Sequence, residues 1–361
     1  PIVGLVNPVA GIYTTKPFNR VRITFTSLAL EVNLTVYNAI ITKYAAAAPL
    51  VCNTPTAANL PAYPVSVNYA RTNVSGAGVA TVTNAENVLS NVPTDHASLA
   101  IEGGFVMTAN LSVKHHTGPI PAGTFAGFRI QNTTLLDVTA LGGLTINTYK
   151  TGVAGVRETF SGSTLLLGGG ALTGSGIQTV GFVTGLDFDE IQISISNLAG
   201  IGLGETRVYN VVLQQFCAAD PALVCNVPSP WIAPRFAATV SSPNTGISGG
   251  AAINSQVINA DALVDDNLTN FAEISFAAGA LTNGFIAVKD QFTDYDPANG
   301  GPYFVGFDIE MPSVLSAGML NGTRVETFLN GLPTGEFVAN GSLIVGTSSL
   351  LTGTGRQTLG F

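Results

Sequence analysis

Charge is scarce in this sequence. Only 10% of its 361 residues are Asp, Glu, Lys or Arg, against roughly 25% in an ordinary globular domain. The 14 Lys and Arg residues are scattered and the net charge is −8, which argues against a nucleic-acid partner, because phosphate binding needs clustered basic side chains. Long apolar runs are missing too. "LLLGGGALTG" is short and cut by glycines, far below the ~18 residues of a membrane helix. No basic leader with a cleavage site precedes the first unit, and Pro1 is not a natural initiator, so an excerpt of something longer is expected. Cysteine is limited to Cys52, Cys217 and Cys225, compatible with the cytosol or with a large extracellular protein that does not depend on disulfides. The surface must be built from Thr, Ser, Asn, Gly and Ala, and low Lys and Glu with abundant Thr and Asn tilt the reading toward a surface protein.

Catalytic signatures are equally sparse. There is no Gly-x-Ser-x-Gly elbow and no Walker loop, and no helix pattern follows the glycine-rich "GSGIQTVG". "KHH" resembles a metal or catalytic cluster, but the matching positions one period later hold Asp290-Gln291, and Phe271 stands where His96 would recur. Solvated loop histidines are the expected reading of His96, His115 and His116. Trp231 is the only tryptophan. It reads as a plug at a joint rather than as a sugar platform.

What the sequence has is a repeat. "GFRIQNTTLLDVTALGGLTINTYKTG" from Gly127 matches "GFDIEMPSVLSAGMLNGTRVETFLNG" from Gly306, an offset of 179 residues that holds to Phe182 over Phe361. Upstream, "NAENVLSNVPTDHASL" from Asn84 lies over "NADALVDDNLTNFAEI" from Asn259. The N-terminal "TTKPFNRVRITFTSLALEVNLTVYNAI" matches "TGLDFDEIQISISNLAGIGLGETRVYNVV" from Thr184, with Phe18 over Phe188 and Val36-Tyr37-Asn38 over Val208-Tyr209-Asn210. "VCNTP" at Cys52 returns as "VCNVP" at Cys225, a unit of about 173 residues. Residues 1–55 then read as the end of one unit, 56–228 as a complete unit and 229–361 as the start of a further one.

Period-two alternation rich in Val, Ile, Thr and Tyr marks strands in "RVRITFTSL", "EVNLTVYNAII", "EIQISISNL" and "ETRVYNVVL". In "EIQISISNL" it places Ile191, Ile193 and Ile195 on one face, expected to be buried between two sheets. Asn330-Gly331 is expected to be a primed hairpin turn, in which both residues take positive φ. No segment reads as a helix of more than two turns. The fold class expected is all-β: tandem β-sandwiches, jelly-roll or Ig-like, joined by stiff proline-rich segments ("NVPSPWIAP", "NTPTAANLPAYP") into a rod-like array.

Three candidate sites remain. Cys217 and Cys225 flank "AADPALV", whose Asp-Pro supplies a turn, so the pair is expected to close as a disulfide, against the plainer reading of two buried thiols, and Cys52 is left unpaired. Asp265 and Asp266 in "LVDDNLTNFAEI", and Asp294 and Asp296 in "DQFTDYDPANGG", offer hard oxygen ligands of the kind calcium takes. Solvated acidic loops are the bland alternative. No other cofactor is expected.

The phrases "VDDNLTNFAEI", "TINTYKTG", "RVETFLNG" and "FDEIQISISNLAG…RVYNV" together resemble the long repetitive surface adhesins of gliding bacteria, of the SprB type. That resemblance implies export by type IX secretion, arrays of β-sandwich repeats, and a non-enzymatic role in attachment and gliding. Its partners would be further repeats of the same chain and external surfaces or glycans, its place the cell surface. "VDDNLTNFAEI" is also similar to discoidin-like jelly rolls, which often bind sugars, so an array of carbohydrate-binding modules is the alternative, with a surface-layer lattice beside it. Ser90-Asn91 departs from the acidic pair in the middle unit, and the sorting domain of such adhesins lies outside this sequence.

Overall fold

The computed structural model describes residues 14, 16–24, 38–39, 41, 43–132, 143–162, 165–168, 177–196, 204–249, 256–276, 282–310, 323–339, 344–345 and 356–361. Residues 25–28 of "RVRITFTSL" and all of "EVNLTVYNAII" except 38, 39 and 41 lie outside them. The chain forms two compact units. Unit 1 is Pro1–Cys217 with Ile232–Gln291, and unit 2 is Ala218–Trp231 with Phe292–Phe361.

Unit 1 is built from β1 (Thr56–Ala57), β2 (Val65–Val67), β3 (Asn73–Thr83), β4 (Ala97–His115), β5 (Thr124–Gln131), β6 (Leu144–Tyr149), β7 (Glu158–Ser161), β8 (Leu166–Gly168), β9 (Ile177–Val183), β10 (Glu190–Ser196) and β11 (Gly204–Gln215). They are followed by the short β12 (Ala238–Val240), β13 (Gly246–Gly249), β14 (Gln256–Ile258), β15 (Glu273–Ser275), β16 (Thr282–Phe285) and β17 (Val288–Asp290). Strand β4 belongs to two layers. Its start pairs with β11 and its end with β10. One layer runs β3-β4-β10-β6-β7 and the other β11-β5-β9-β8-β12-β17, so the sheet folds over on itself as a β-sandwich.

The alternation of β10 explains the interior. Ile191, Ile193 and Ile195 are buried, and Ile193 stands between Leu111 of β4 and Ile146 of β6. From the opposite layer come Phe128, Val180, Phe182, Val211 and Leu213, all buried. Phe160 of β7 stacks on Phe182 of β9 at 4.0 Å between ring centroids, joining the layers. A second cluster lies on the outer face of β5 and β11, where Phe125, Val212 and Phe216 pack with Ala237. The sequence periods 56–228 and 229–361 are not the boundaries of the compact units, because β12 and β17 extend the unit 1 sheet at β8.

Unit 2 contains the one-turn helix α1 (Pro297–Gly300) and strands β18 (Gly306–Glu310), β19 (Arg324–Leu329), β20 (Leu332–Ala339), β21 (Ile344–Val345) and β22 (Arg356–Gly360). Asn330 and Gly331 have φ of 51° and 78°, the expected primed hairpin turn between β19 and β20. Residues matched by the sequence repeat share unusual backbone features. Asn84 and Asn259 both take the left-handed conformation and both open a short 3-10 helix. Gly127 of β5 faces Gly181 of β9 so closely that an added Cβ would lie 2.3 Å from the Val180 carbonyl oxygen. Gly306 of β18 faces Gly360 of β22 with the same 2.3 Å to the Leu359 oxygen.

The disulfide differs from the expected pair. Cys217 is bonded to Cys52, at a sequence separation of 165 and with Cα atoms 5.5 Å apart, and Cys225 is an exposed free thiol. The reason is backbone pairing that spacing along the chain does not reveal. Cys52 forms a parallel bridge with Gln215, Asn53 N–H donates to the Gln215 carbonyl at 2.7 Å, and the Asn53 side chain accepts from Cys217 N–H at 2.8 Å. Cys225 lies in the Ala218–Trp231 stretch assigned to unit 2.

Two outcomes follow from this packing. Cross-linking so long a loop stabilises by up to about 5 kcal/mol on chain-entropy grounds. Cys52→Ser should therefore lower unfolding free energy in denaturant titrations by about 2–5 kcal/mol, while Cys225→Ser leaves it unchanged. Gly181→Ala, which drives a methyl group into the Ala126 carbonyl oxygen and the Phe125 ring, should cost about 1–3 kcal/mol by the same measurement.

Candidate functional site

The residues of β10 that do not face the core form a polar ladder. Glu190 is almost wholly buried, a position a carboxylate tolerates only with full pairing. Its Oε1 accepts from Asn68 Nδ2 and Ser112 Oγ, each at 2.7 Å, and its Oε2 from Arg71 Nη1 at 2.9 Å. The Arg71 guanidinium also lies over the Tyr149 ring, 4.1 Å from its centroid. Gln192 donates to the Arg71 carbonyl at 2.8 Å and accepts from Tyr149 Oη at 2.8 Å and Asn147 Nδ2 at 3.2 Å. Thr159 Oγ1 donates to Asn147 Oδ1 at 2.8 Å. One row further along, Ser194 Oγ donates to Asn110 Oδ1 at 2.6 Å, and Asn110 Nδ2 to Asn73 Oδ1 at 3.0 Å.

Register explains why these side chains meet. Gln192 is opposite Ser112 on one side and Asn147 on the other, and Asn147 is opposite Thr159. Ser194 is opposite Asn110 and Thr145, and Thr145 is opposite Ser161. Directly opposed residues share a face, so β3, β4, β10, β6 and β7 present rows of amides and hydroxyls on the side away from the core. The centre of this face is buried. Asn73, Asn110, Thr145, Asn147 and Tyr149 are partly accessible, and Thr159 and Ser161 are exposed. Apart from the neutralised Arg71–Glu190 pair, the inner rows are uncharged. Salt bridges sit at one end, where Asp187 holds Lys150 and Arg157. The hydrogen bonds from Lys150, then from Arg157, keep the Asp187 carboxyl below the usual carboxylate range. Such a face can exchange hydrogen bonds with neutral polyols. It offers little to an ion.

The residues singled out by sequence are dispersed. Asp265 is buried, and its oxygens accept from Asn267 N–H at 3.0 Å and Asn270 Nδ2 at 2.6 Å. Asp266 is exposed. In unit 2, Asp294 is exposed and Asp296 caps α1, accepting from Ala298 N–H at 2.9 Å. Among the described residues no group of three or more His, Cys, Asp or Glu forms a metal cluster. The carboxylate next to Asp265 is Asp261, which the calcium reading passed over. Burial, with a further contribution from the Asp265 charge, pushes its pKa up to about 7.

Of the histidines, His96 packs against Tyr209 and His115 Nδ1 lies 2.8 Å from the Gly118 carbonyl. His116 is not a solvated loop residue. Its Nε2 is 2.7 Å from Ser66 Oγ across the β2–β4 pairing, its ring stacks on Tyr44, and burial lowers its pKa. Trp231 meets Tyr295 edge-on at 5.4 Å, and Tyr295 meets Tyr303 likewise at 5.6 Å. Edge-on rings do not combine into one flat platform.

No protein-family model and no curated protein matches this sequence. Among solved structures, similarity is found to a family 32 carbohydrate-binding module of C. perfringens NanJ in complex with galactose, at 16% identity and TM-score 0.27, covering 44% of this chain and 98% of that one. Similarity is also found to a family 29 carbohydrate-binding module from Piromyces equi, at 10% identity and TM-score 0.24, covering 47% and 95%. The all-β assignment rests on the strand pairing described above, not on these likenesses.

The raised pKa of Asp261 has a definite sign. The folded state holds this proton more tightly than the unfolded state, so the group's stabilising contribution is complete below about pH 4 and is lost as pH rises toward 7. Asp261→Asn should flatten this part of the stability–pH curve and leave unit 1 more stable than the parent at pH 8, as read by thermal melts across that range.

Proposed function

We propose that this chain is a non-catalytic extracellular segment that binds glycans on the polar face of its β-sandwich. The observation that carries the proposal is the set of amide and hydroxyl rows across β3, β4, β10, β6 and β7. Sugar hydroxyls are neutral donors and acceptors. A face of fixed Asn, Gln, Ser and Thr groups, already ordered by mutual hydrogen bonds, meets them at low entropic cost. Tyr149 adds an aromatic edge beside the rows. The Cys52–Cys217 bond supports an oxidising, extracytoplasmic setting, and no helix among the described residues is long and apolar enough to cross a membrane. The repeat period supports a wider form of the same proposal, a long adhesive surface array of the gliding-adhesin kind, in which many weak contacts add up through repetition.

The test is retention of the 361-residue chain on immobilised glycans, followed by titration of those that retain it. Asn147→Ala removes a donor and an acceptor from a partly accessible row of the face. It should lower affinity about tenfold, equivalent to roughly 1.4 kcal/mol, while the chain stays folded with a stability loss of about 1 kcal/mol from the bonds to Gln192 and Thr159. Asp266→Ala, on an exposed loop, should bind like the parent. Failure to bind any glycan, or binding indifferent to both Asn147→Ala and Asn110→Ala, would overturn the proposal.

A further inference from the structure

The outer face of β5, β9 and β11, on the layer opposite the polar rows, holds a cation without a counter-charge. Arg71, Arg157 and Arg207 are each paired with a carboxylate. Arg129 of β5 is half-buried, and among the described residues no acid is paired with it. Its Nε is buried and makes no hydrogen bond. A guanidinium keeps its charge at every pH a folded protein meets. The fold therefore carries a partly desolvated charge that it does not compensate, an arrangement that is unfavourable until a partner arrives.

Register shows what such a partner would meet. Arg129 is opposite Asn210 of β11 on one side and Thr179 of β9 on the other, so the three side chains share one row and one face. Asn210 and Thr179 are buried, at 8% and 4% exposure. Asn210 Oδ1 is a buried acceptor without a donor, and Arg129 Nε a buried donor without an acceptor. They belong to directly opposed residues and are not bonded to each other. A bulge in β11 adds a wall. Val208 is opposite Ile130 and Asn210 opposite Arg129, so Tyr209 is the extra residue. Its hydroxyl donates to Gln131 Oε1 at 2.8 Å, and its ring centroid lies 5.6 Å from Arg129 Cζ. His96 packs on the same ring at 5.5 Å. Arg129, Gln131 and His96 are partly accessible, so the row is reached from solvent beside the arginine. The row that the sequence repeat matches in unit 2 closes on itself. There Asp308 stands in place of Arg129, opposite Thr358, and the Thr358 hydroxyl donates to its Oδ1.

We infer that the Asn210–Arg129–Thr179 row is a second binding site, which takes a carboxylate with a hydroxyl beside it. That group is carried by acidic sugars and by small free hydroxy acids. The carboxylate accepts from the guanidinium, a charge-assisted bond that supplies the missing counter-charge. The hydroxyl donates to Asn210 Oδ1. A neutral sugar brings no charge to Arg129, and a plain carboxylate brings no donor to Asn210. The site lies on a different layer from the amide and hydroxyl rows, and it stands whether or not those rows bind glycans.

The test is titration calorimetry of the 361-residue chain with glucuronate, lactate, glucose and acetate, beside thermal melts of the unliganded proteins. Glucuronate should bind at least about tenfold more tightly than glucose or acetate. Lactate equal to glucuronate assigns the site to hydroxy acids at large, and weaker lactate assigns it to acidic sugars. Arg129→Gln should weaken glucuronate at least about tenfold, yet melt no lower than the parent, because no ion pair is lost. Asn210→Asp sets a carboxylate of the chain's own opposite Arg129. It should block glucuronate and raise the melting temperature. Asn147→Ala, on the other layer, should bind glucuronate as the parent does. Three results would overturn the inference: glucuronate no tighter than glucose or acetate; glucuronate binding indifferent to both Arg129→Gln and Asn210→Asp; or a lowered melt for Arg129→Gln while Asn210→Asp still binds, which would make the guanidinium a structural group.

Discussion

The sandwich depends on β10 having two buried faces of opposite character. A central strand covered on both sides normally reads as a continuous apolar run. Here one side is Ile191, Ile193 and Ile195 and the other is Glu190, Gln192 and Ser194, all six buried. The apolar side gains by leaving water, roughly 1.5–3 kcal/mol for each side chain fully covered. The polar side has to recover every hydrogen bond it gives up, and a buried carboxylate left unpaired would cost several kcal/mol. Asn68, Arg71 and Ser112 meet that requirement for Glu190, and Asn147 and Tyr149 meet it for Gln192. The segment from Asn68 to Thr72 is thereby held against β4 and β10, and the rows of the candidate face take their order from the same bonds.

Much of this was legible in the sequence, for a local reason. Strand alternation is a period-two signal, so "EIQISISNL" and "ETRVYNVVL" could be placed as strands, and Asn330-Gly331 declared its turn through the positive φ that both residues tolerate. The same alternation contained the candidate face. Glu190, Gln192 and Ser194 are the polar half of the phrase whose apolar half was read as core. The signal missed was the coincidence of polar positions on neighbouring strands, which needs the register of β6, β7 and β4 as well as the alternation of each.

What was not legible depends on contacts distant in sequence. Cys52 and Cys217 meet because Asn53 and Gln215 pair their backbones, and nothing in the local spacing of cysteines reports that. Asp261 was passed over because it stands in an ordinary "NADAL" phrase, and only burial beside Asp265 sets it apart. The reverse holds for Asp294 and Asp296. Their local density of oxygen ligands drew attention, yet the cap on α1 accounts for Asp296 without any ion.

The Cys52–Cys217 bond also changes how the molecule would respond to tension. If the chain is stretched from points outside these two residues, force entering at one cysteine leaves at the other through the covalent link. The 165 residues of sequence separation between them stay out of the load path even when their strands separate. At about 3.4 Å per extended residue, roughly 560 Å of contour length is withheld. A tether made this way would yield in the stretches on either side of the bond and keep its β3-β4-β10-β6-β7 layer slack and free to refold.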